Sequence, residues 1–137
     1  MANRILHADD DLIFSRITKK ILHQNGFEVY NAYDGEQAWM LFNEMSFHYC
    51  LLDIMMPRLN GIDLGERIRS VDRRMPIFYL SSEDPMSVEE DVFGRGGGNG
   101  YFAKTLSIRK LSIFLQHYFS SSSIIKPYDV SYRKNNI

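Results

Sequence analysis

Four polar groupings each close an apolar run: Asp9-Asp10-Asp11, Asp53, Ser81-Ser82 and Lys104. Carboxylates crowded together repel one another and raise at least one pKa unless a cation sits among them. A cluster of hard oxygens with no His or Cys suits Mg2+, which binds a few carboxylates and keeps waters for a phosphate-bearing partner. Asp53 can then act as a nucleophile toward phosphorus and form an acyl phosphate. A metal ion and Lys104 would neutralise charge on the transferring group, while the Ser81 hydroxyl donates to one of its oxygens. A lysine that ends an apolar strand needs a partner of this kind. Pro57 and Gly61 fit a tight loop after Asp53, and Asp11 reads as a helix N-cap, the end that acids favour.

These groups converge only if the elements before them are aligned. Arg4 to Ala8 reads as a strand covered on both faces. Phe14, Ile17, Ile21 and Leu22 recur at helical spacing, and Asn25-Gly26 stops that helix. Phe27 to Ala32 is a second strand. Asp34 caps the next helix, with Gln37 in capping-box position and Ala38, Leu41, Phe42 and Met45 as its buried face. Phe47 to Leu52 is the third strand, followed by a helix opened by Asn60-Gly61 with Ile62, Gly65 and Ile68 on one side. Pro76 to Leu80 is the fourth, and Asp84-Pro85 introduces a helix over 86–93. The glycine cluster Gly96 to Gly100 reads as a flexible connection. Tyr101 to Ala103 is a fifth strand, and the last helix turns Leu111, Phe114, Leu115 and Tyr118 inward. Strands alternating with helices indicate an α/β fold, a doubly wound parallel sheet. Its sites form beyond the carboxyl ends of the strands, where all four groupings lie.

The chain of 137 residues is long enough for one domain with a real core, read here as 1–119, followed by a tail or truncated linker over 120–137. A net charge of −1 gives no drive toward nucleic acid or an anionic membrane. The single cysteine, Cys50, excludes an internal disulfide and a Cys-rich zinc site. The histidines, His7, His23, His48 and His117, lack metal-ligand spacing and read as structural or surface residues. No signal segment and no apolar run of membrane-spanning length is present, so the chain reads as cytoplasmic.

The blocks ILHADDD (5–11), NAYDGEQAW (31–39), LLDIMMPRLNG (51–61), YLSS (79–82) and YFAK (101–104) together resemble a bacterial two-component response regulator receiver domain, over residues 3 to about 119. That resemblance implies a (βα)5 fold with a five-stranded sheet in the order 2-1-3-4-5 and five flanking helices. It implies that Asp53 accepts a phosphoryl group from a histidine kinase, with Mg2+ held by Asp10, Asp9, Asp53 and the Met55 backbone carbonyl. Lys104 would pair with the phosphoryl group, Ser81 would be the switch hydroxyl, and Tyr101 the aromatic that rotates inward behind it. The readout face would be the fourth helix, fifth strand and fifth helix, through which many such domains also dimerise weakly. Expected partners are the kinase and a downstream effector or output domain, commonly DNA-binding, in a longer parent protein.

Two features depart from the family pattern. Thr105 stands where Pro usually follows the lysine, so a trans peptide is expected there. The glycine cluster is also richer and longer than the usual loop. Two other functions compete with the signalling switch. An aspartyl-phosphate phosphatase would need an acid two residues after its nucleophile, and that position is Met55. A receiver-like interaction module would work by binding alone, without phosphate.

Overall fold

The computed structural model describes residues 2–121. Along them run β1 (Asn3–Ala8), α1 (Leu12–Gln24), β2 (Phe27–Ala32), α2 (Gly35–Glu44), β3 (Tyr49–Leu52), α3 (Gly61–Val71), β4 (Ile77–Ser81), α4 (Pro85–Phe93), β5 (Gly100–Ala103) and α5 (Ile108–Ser121). The strands form one parallel sheet in the order β2-β1-β3-β4-β5. The chain reverses direction across the sheet between β1 and β3, which makes the gap above them the switch point. Helix α5 continues two residues past the boundary at 119, and the rest of the expected tail lies outside the described residues.

Alternate residues of each strand supply two cores. Leu6, Ala8, Cys50, Leu52, Ile77 and Tyr79 pack with Ala38, Ile62, Leu64, Ile68 and Val92 from α2, α3 and α4. On the other face Ile5, Leu51, Phe78, Leu80 and Phe102 pack with Leu22 of α1 and Leu111, Phe114 and Leu115 of α5. Helix starts follow local chemistry, because a side-chain oxygen relieves an unpaired N–H of the first turn. Asp11 accepts from the Phe14 N–H, Asp34 from Gln37 and Asn60 from Asp63, while Asp84 precedes Pro85 and accepts from Met86.

Helix α1 is rotated from the face its apolar spacing implies. Ile17 is 50% exposed and Ile13 71%, whereas Ser15, Thr18 and Leu22 are buried. Phe14 and Ile21 are half-buried at the edge of that face. The small hydroxyl side chains lie where α1 and α5 share one face of the sheet, and Ser15 Oγ donates to the Asp9 carbonyl at 3.4 Å. Packing across the sheet thus outweighs the helix's own apolar periodicity.

The glycine cluster is a hydrogen-bonded connection, not an open one. The Tyr79 hydroxyl reaches the carbonyls of Gly61, at 3.2 Å, and Gly96, at 2.8 Å. Arg69 donates to the Gly97 carbonyl and the Asn99 side chain, and Asn99 Oδ1 accepts from the Ile77 N–H. A Cβ on Gly65 would lie 1.9 Å from the Tyr79 hydroxyl. A large polar residue inside β4 therefore requires bare backbone around it.

Candidate functional site

The parallel register brings the polar groupings to one rim. The Asp53 N–H donates to the Ala8 carbonyl at 2.9 Å, which ties the end of β3 to the end of β1. Asp9 is fully buried, Asp53 is 6% exposed and Asp10 faces solvent. Each offers an oxygen, and these oxygens lie within 4.8 Å of one another. The set contains no nitrogen or sulfur, and oxygen-only donors fit a hard divalent ion such as Mg2+.

Lys104, from just beyond β5, projects into this cluster. Its Nζ is 2.8 Å from Asp9 Oδ2 and 3.5 Å from Asp53 Oδ2, and it lies 4.8 Å from the centre of the Phe14 ring. Burial works against the lysine's charge, yet Asp9 and Asp53 together hold its pKa above the ordinary lysine range. Burial first, and then Asp9, push Asp53 up to about 6, with Lys104 opposing them. A carboxylate so placed is ionised at neutral pH but more basic than a surface aspartate.

The loop after Asp53 is shaped by close approach. The Gly61 N–H donates to the Ile54 carbonyl at 2.8 Å, and a Cβ on Gly61 would fall 1.9 Å from the Asp53 carbonyl oxygen. The Pro57 carbonyl accepts from Leu59 at 2.7 Å across Arg58, whose φ is +70°. Such a turn stores backbone strain beside the carboxylate cluster. Met55 sits in the same loop with its side chain 63% exposed.

Ser81 closes β4 and is 1% exposed. Its Oγ accepts from the Glu83 N–H at 3.1 Å. Tyr101 lies inward, 2% exposed, and its hydroxyl reaches the carbonyls of Glu83 and, at 3.3 Å, Ser81. The turn between β4 and α4 is therefore held from both sides. Among the described residues no peptide bond is cis, including Lys104-Thr105.

Two residues beside the site escaped the sequence reading. Phe14, which apolar spacing marks only as part of α1, covers Lys104. His7 was read as structural or surface, and is fully buried with its Nε2 3.9 Å from Asp9 Oδ2. Burial lowers its pKa to about 4, against the opposing pull of Asp9. The available signal was period two: His7 shares a strand face with Asp9 in an otherwise apolar run.

A doubly wound sheet with a carboxylate cluster at its switch point and a lysine just beyond the last strand defines a receiver-type domain. The family model for the response regulator receiver domain matches residues 5–116, and the chain belongs to that family, the receiver domains of two-component response regulators. It is 30% identical to the transcriptional regulatory protein TrcR of Mycobacterium tuberculosis, over 98% of this chain and 52% of that protein. It is 34% identical to the response regulator MprA of Mycobacterium bovis, over 81% of this chain and 48% of that protein. The chain thus spans about half the length of these relatives. A Francisella response regulator receiver domain superposes with a TM-score of 0.78 at 28% identity, covering 88% of this chain and 98% of that one. A CheY-like receiver from Methanospirillum hungatei shares the fold, with a TM-score of 0.82 at 23% identity, over 90% of this chain and 98% of its own. Among the described residues no helix is long and apolar enough to cross a membrane.

Proposed function

We propose that this domain is the phosphorylation switch of a two-component pathway, with Asp53 accepting a phosphoryl group from the phosphohistidine of a histidine kinase. The observation that carries the reading is the convergence of Asp9, Asp10 and Asp53 within 4.8 Å, with Lys104 reaching two of them. In the transfer, an Asp53 carboxylate oxygen attacks phosphorus in line. The P–N bond breaks, and the imidazole leaves with its electron pair. The raised pKa of Asp53, about 6, leaves it ionised and nucleophilic at neutral pH.

Asp9, Asp10, Asp53 and the Met55 backbone carbonyl would hold Mg2+, which supplies positive charge to the phosphoryl oxygens when bound. Lys104 supplies the second positive charge, moving toward the phosphoryl group from its position between the two acids. Ser81 donates its hydroxyl proton to a phosphoryl oxygen. Because Ser81 Oγ also holds the Glu83 N–H, that movement draws on the turn before α4, with Tyr101 as the inner support. Phosphorylation then shifts a population between two arrangements of α4, β5 and α5. The chemistry is confined to self-phosphotransfer and autodephosphorylation, in the cytoplasm with the kinase.

The names of the relatives, transcriptional regulators of about twice this length, support a DNA-binding output domain as the effector in a longer parent protein. The test is the intact mass of the protein after incubation with acetyl phosphate, with and without Mg2+, beside Asp53→Asn. One Mg2+-dependent phosphoryl adduct on the wild type and none on the variant supports the reading. A wild type that takes no adduct would sink it in favour of a module regulated by binding alone.

A further inference from the structure

Strand β1 and the residue that follows it bring two polar side chains to the α1–α5 side of the sheet. Residues 5, 7 and 9 alternate to that face, where Ile5 gives way to His7 and then Asp9, all fully buried. Neither ring nitrogen of His7 makes an aligned hydrogen bond, although Asn31 lies close enough to interact with the ring. Asn31, opposite His7 in the β1–β2 register, lies alongside it with its own Oδ1 unpaired. Asp9 Oδ2 also lacks an aligned hydrogen bond, although Lys104 forms an ion pair with it at 2.8 Å. Buried polar atoms are nearly always paired, so a concentration of unpaired ones beside a reactive site calls for a purpose. Phe14 closes the space from α1, its ring 5.9 Å from the His7 ring in an edge arrangement and beneath Lys104.

Lys104 and one ring nitrogen of His7 thus face one buried carboxylate oxygen. Lys104 is in place, and His7 Nε2 stands 3.9 Å away, about 1 Å longer than a usual hydrogen bond. In the proposed transfer, Lys104 shifts from Asp9 toward the phosphoryl group on Asp53. We infer that His7 is a positioning residue for Asp9: as Lys104 moves to the phosphoryl group on Asp53, the His7 Nε2–H closes onto Asp9 Oδ2 and keeps that carboxylate oriented. Without it, Asp9 Oδ2 would be left with no protein donor when the lysine leaves, and so would retain Lys104 in competition with the phosphoryl group. Asp9 Oδ1 already accepts from the Asp11 N–H at 2.9 Å, so both oxygens would then be held by the protein. The inference rests on the phosphoacceptor reading. Losing a partner that orients a metal-binding carboxylate typically reduces affinity or activity about 10–100-fold.

The experiment compares the full chain with His7→Leu and His7→Gln by two readouts: melting temperature without Mg2+, and the rate of adduct formation from acetyl phosphate at saturating Mg2+. Leu fills the site without unpaired nitrogens, so this variant is expected to melt at or above the wild type. It should nevertheless be phosphorylated about tenfold more slowly, and Gln, which keeps an N–H donor, should recover most of that rate. In 15N spectra of the wild type, the His7 Nε2 resonance should belong to the protonated nitrogen and shift when Mg2+ and beryllofluoride, a phosphoryl mimic, are added together. A Leu variant as fast as the wild type, or a Gln variant as slow as Leu, overturns the role of His7 while leaving the phosphoacceptor reading intact. Rates that merely follow melting temperature overturn it too, since that is how a packing residue behaves. A wild type that takes no adduct overturns both.

Discussion

Asp53→Asn removes a charge that the fold makes costly. The carboxyl is 6% exposed, and burial followed by Asp9 lifts its pKa from 3.8 to about 6, with Lys104 offsetting only part of the rise. The folded pKa exceeds the unfolded one, so the group's contribution to stability is fully present below about pH 4 and is lost as pH rises through about 6. About two pH units at about 1.4 kcal/mol each set a ceiling near 3 kcal/mol on the cost of ionised Asp53 at neutral pH. Screening at the open rim and the partial loss of a partner for Lys104 lower the expected gain to about 1–2 kcal/mol. For a domain of this size that is a rise of roughly 3–8 °C in Tm. The assay is calorimetry or urea unfolding in EDTA at about pH 7.5 and about pH 3.5, where the gain should shrink toward zero because Asp53 is mostly protonated in both states. Mg2+ should narrow the gap at the higher pH by stabilising the wild type more than the variant. A variant no more stable than the wild type at the higher pH, or a gain that persists in acid, would refute the view that burial and Asp9 set the energy of Asp53.

Lys104→Met leaves Asp9 and Asp53 facing each other without their cation. The Asp53 pKa should rise further, seen by carboxyl 13C titration, and stability near neutral pH should fall by about 1–3 kcal/mol, with Mg2+ restoring more stability to this variant than to the wild type. Gly65→Ala drives a methyl group into the Tyr79 hydroxyl and should cost about 1–3 kcal/mol. Tyr79→Phe, which gives up bonds to Gly61 and Gly96, should cost about 1–2 kcal/mol alone but clearly less beside Gly65→Ala. Urea unfolding of the four proteins should show a coupling above about 0.5 kcal/mol, and simple additivity would contradict this packing.

Much of the site was legible because it needs only local patterns and one topological rule. Apolar runs ending in Asp9, Asp53, Ser81 and Lys104 identify strands, alternation with helices makes the sheet parallel, and parallel strands present their carboxyl ends at one rim. The caps Asp11, Asp34 and Asn60 were legible for the same reason, since each acts on an N–H within three residues. Tertiary structure alone decided which face and which partner each group took. The spacing of α1 marks Ile17 as core, yet the sheet and α5 turn it outward and bury Ser15 and Thr18. The glycines near 96 read as slack until Tyr79, from a strand seventeen residues away, reaches the carbonyl among them. Lys104 lies closer to Asp9 than to Asp53, and His7 lies beside them both unpaired and buried, through contacts that span up to ninety-five residues of chain. Periodicity along a chain reports how a segment would bury itself alone. The depth of a neighbouring side chain, and the competition of two donors for one carboxylate, exist only once separate segments occupy the same space.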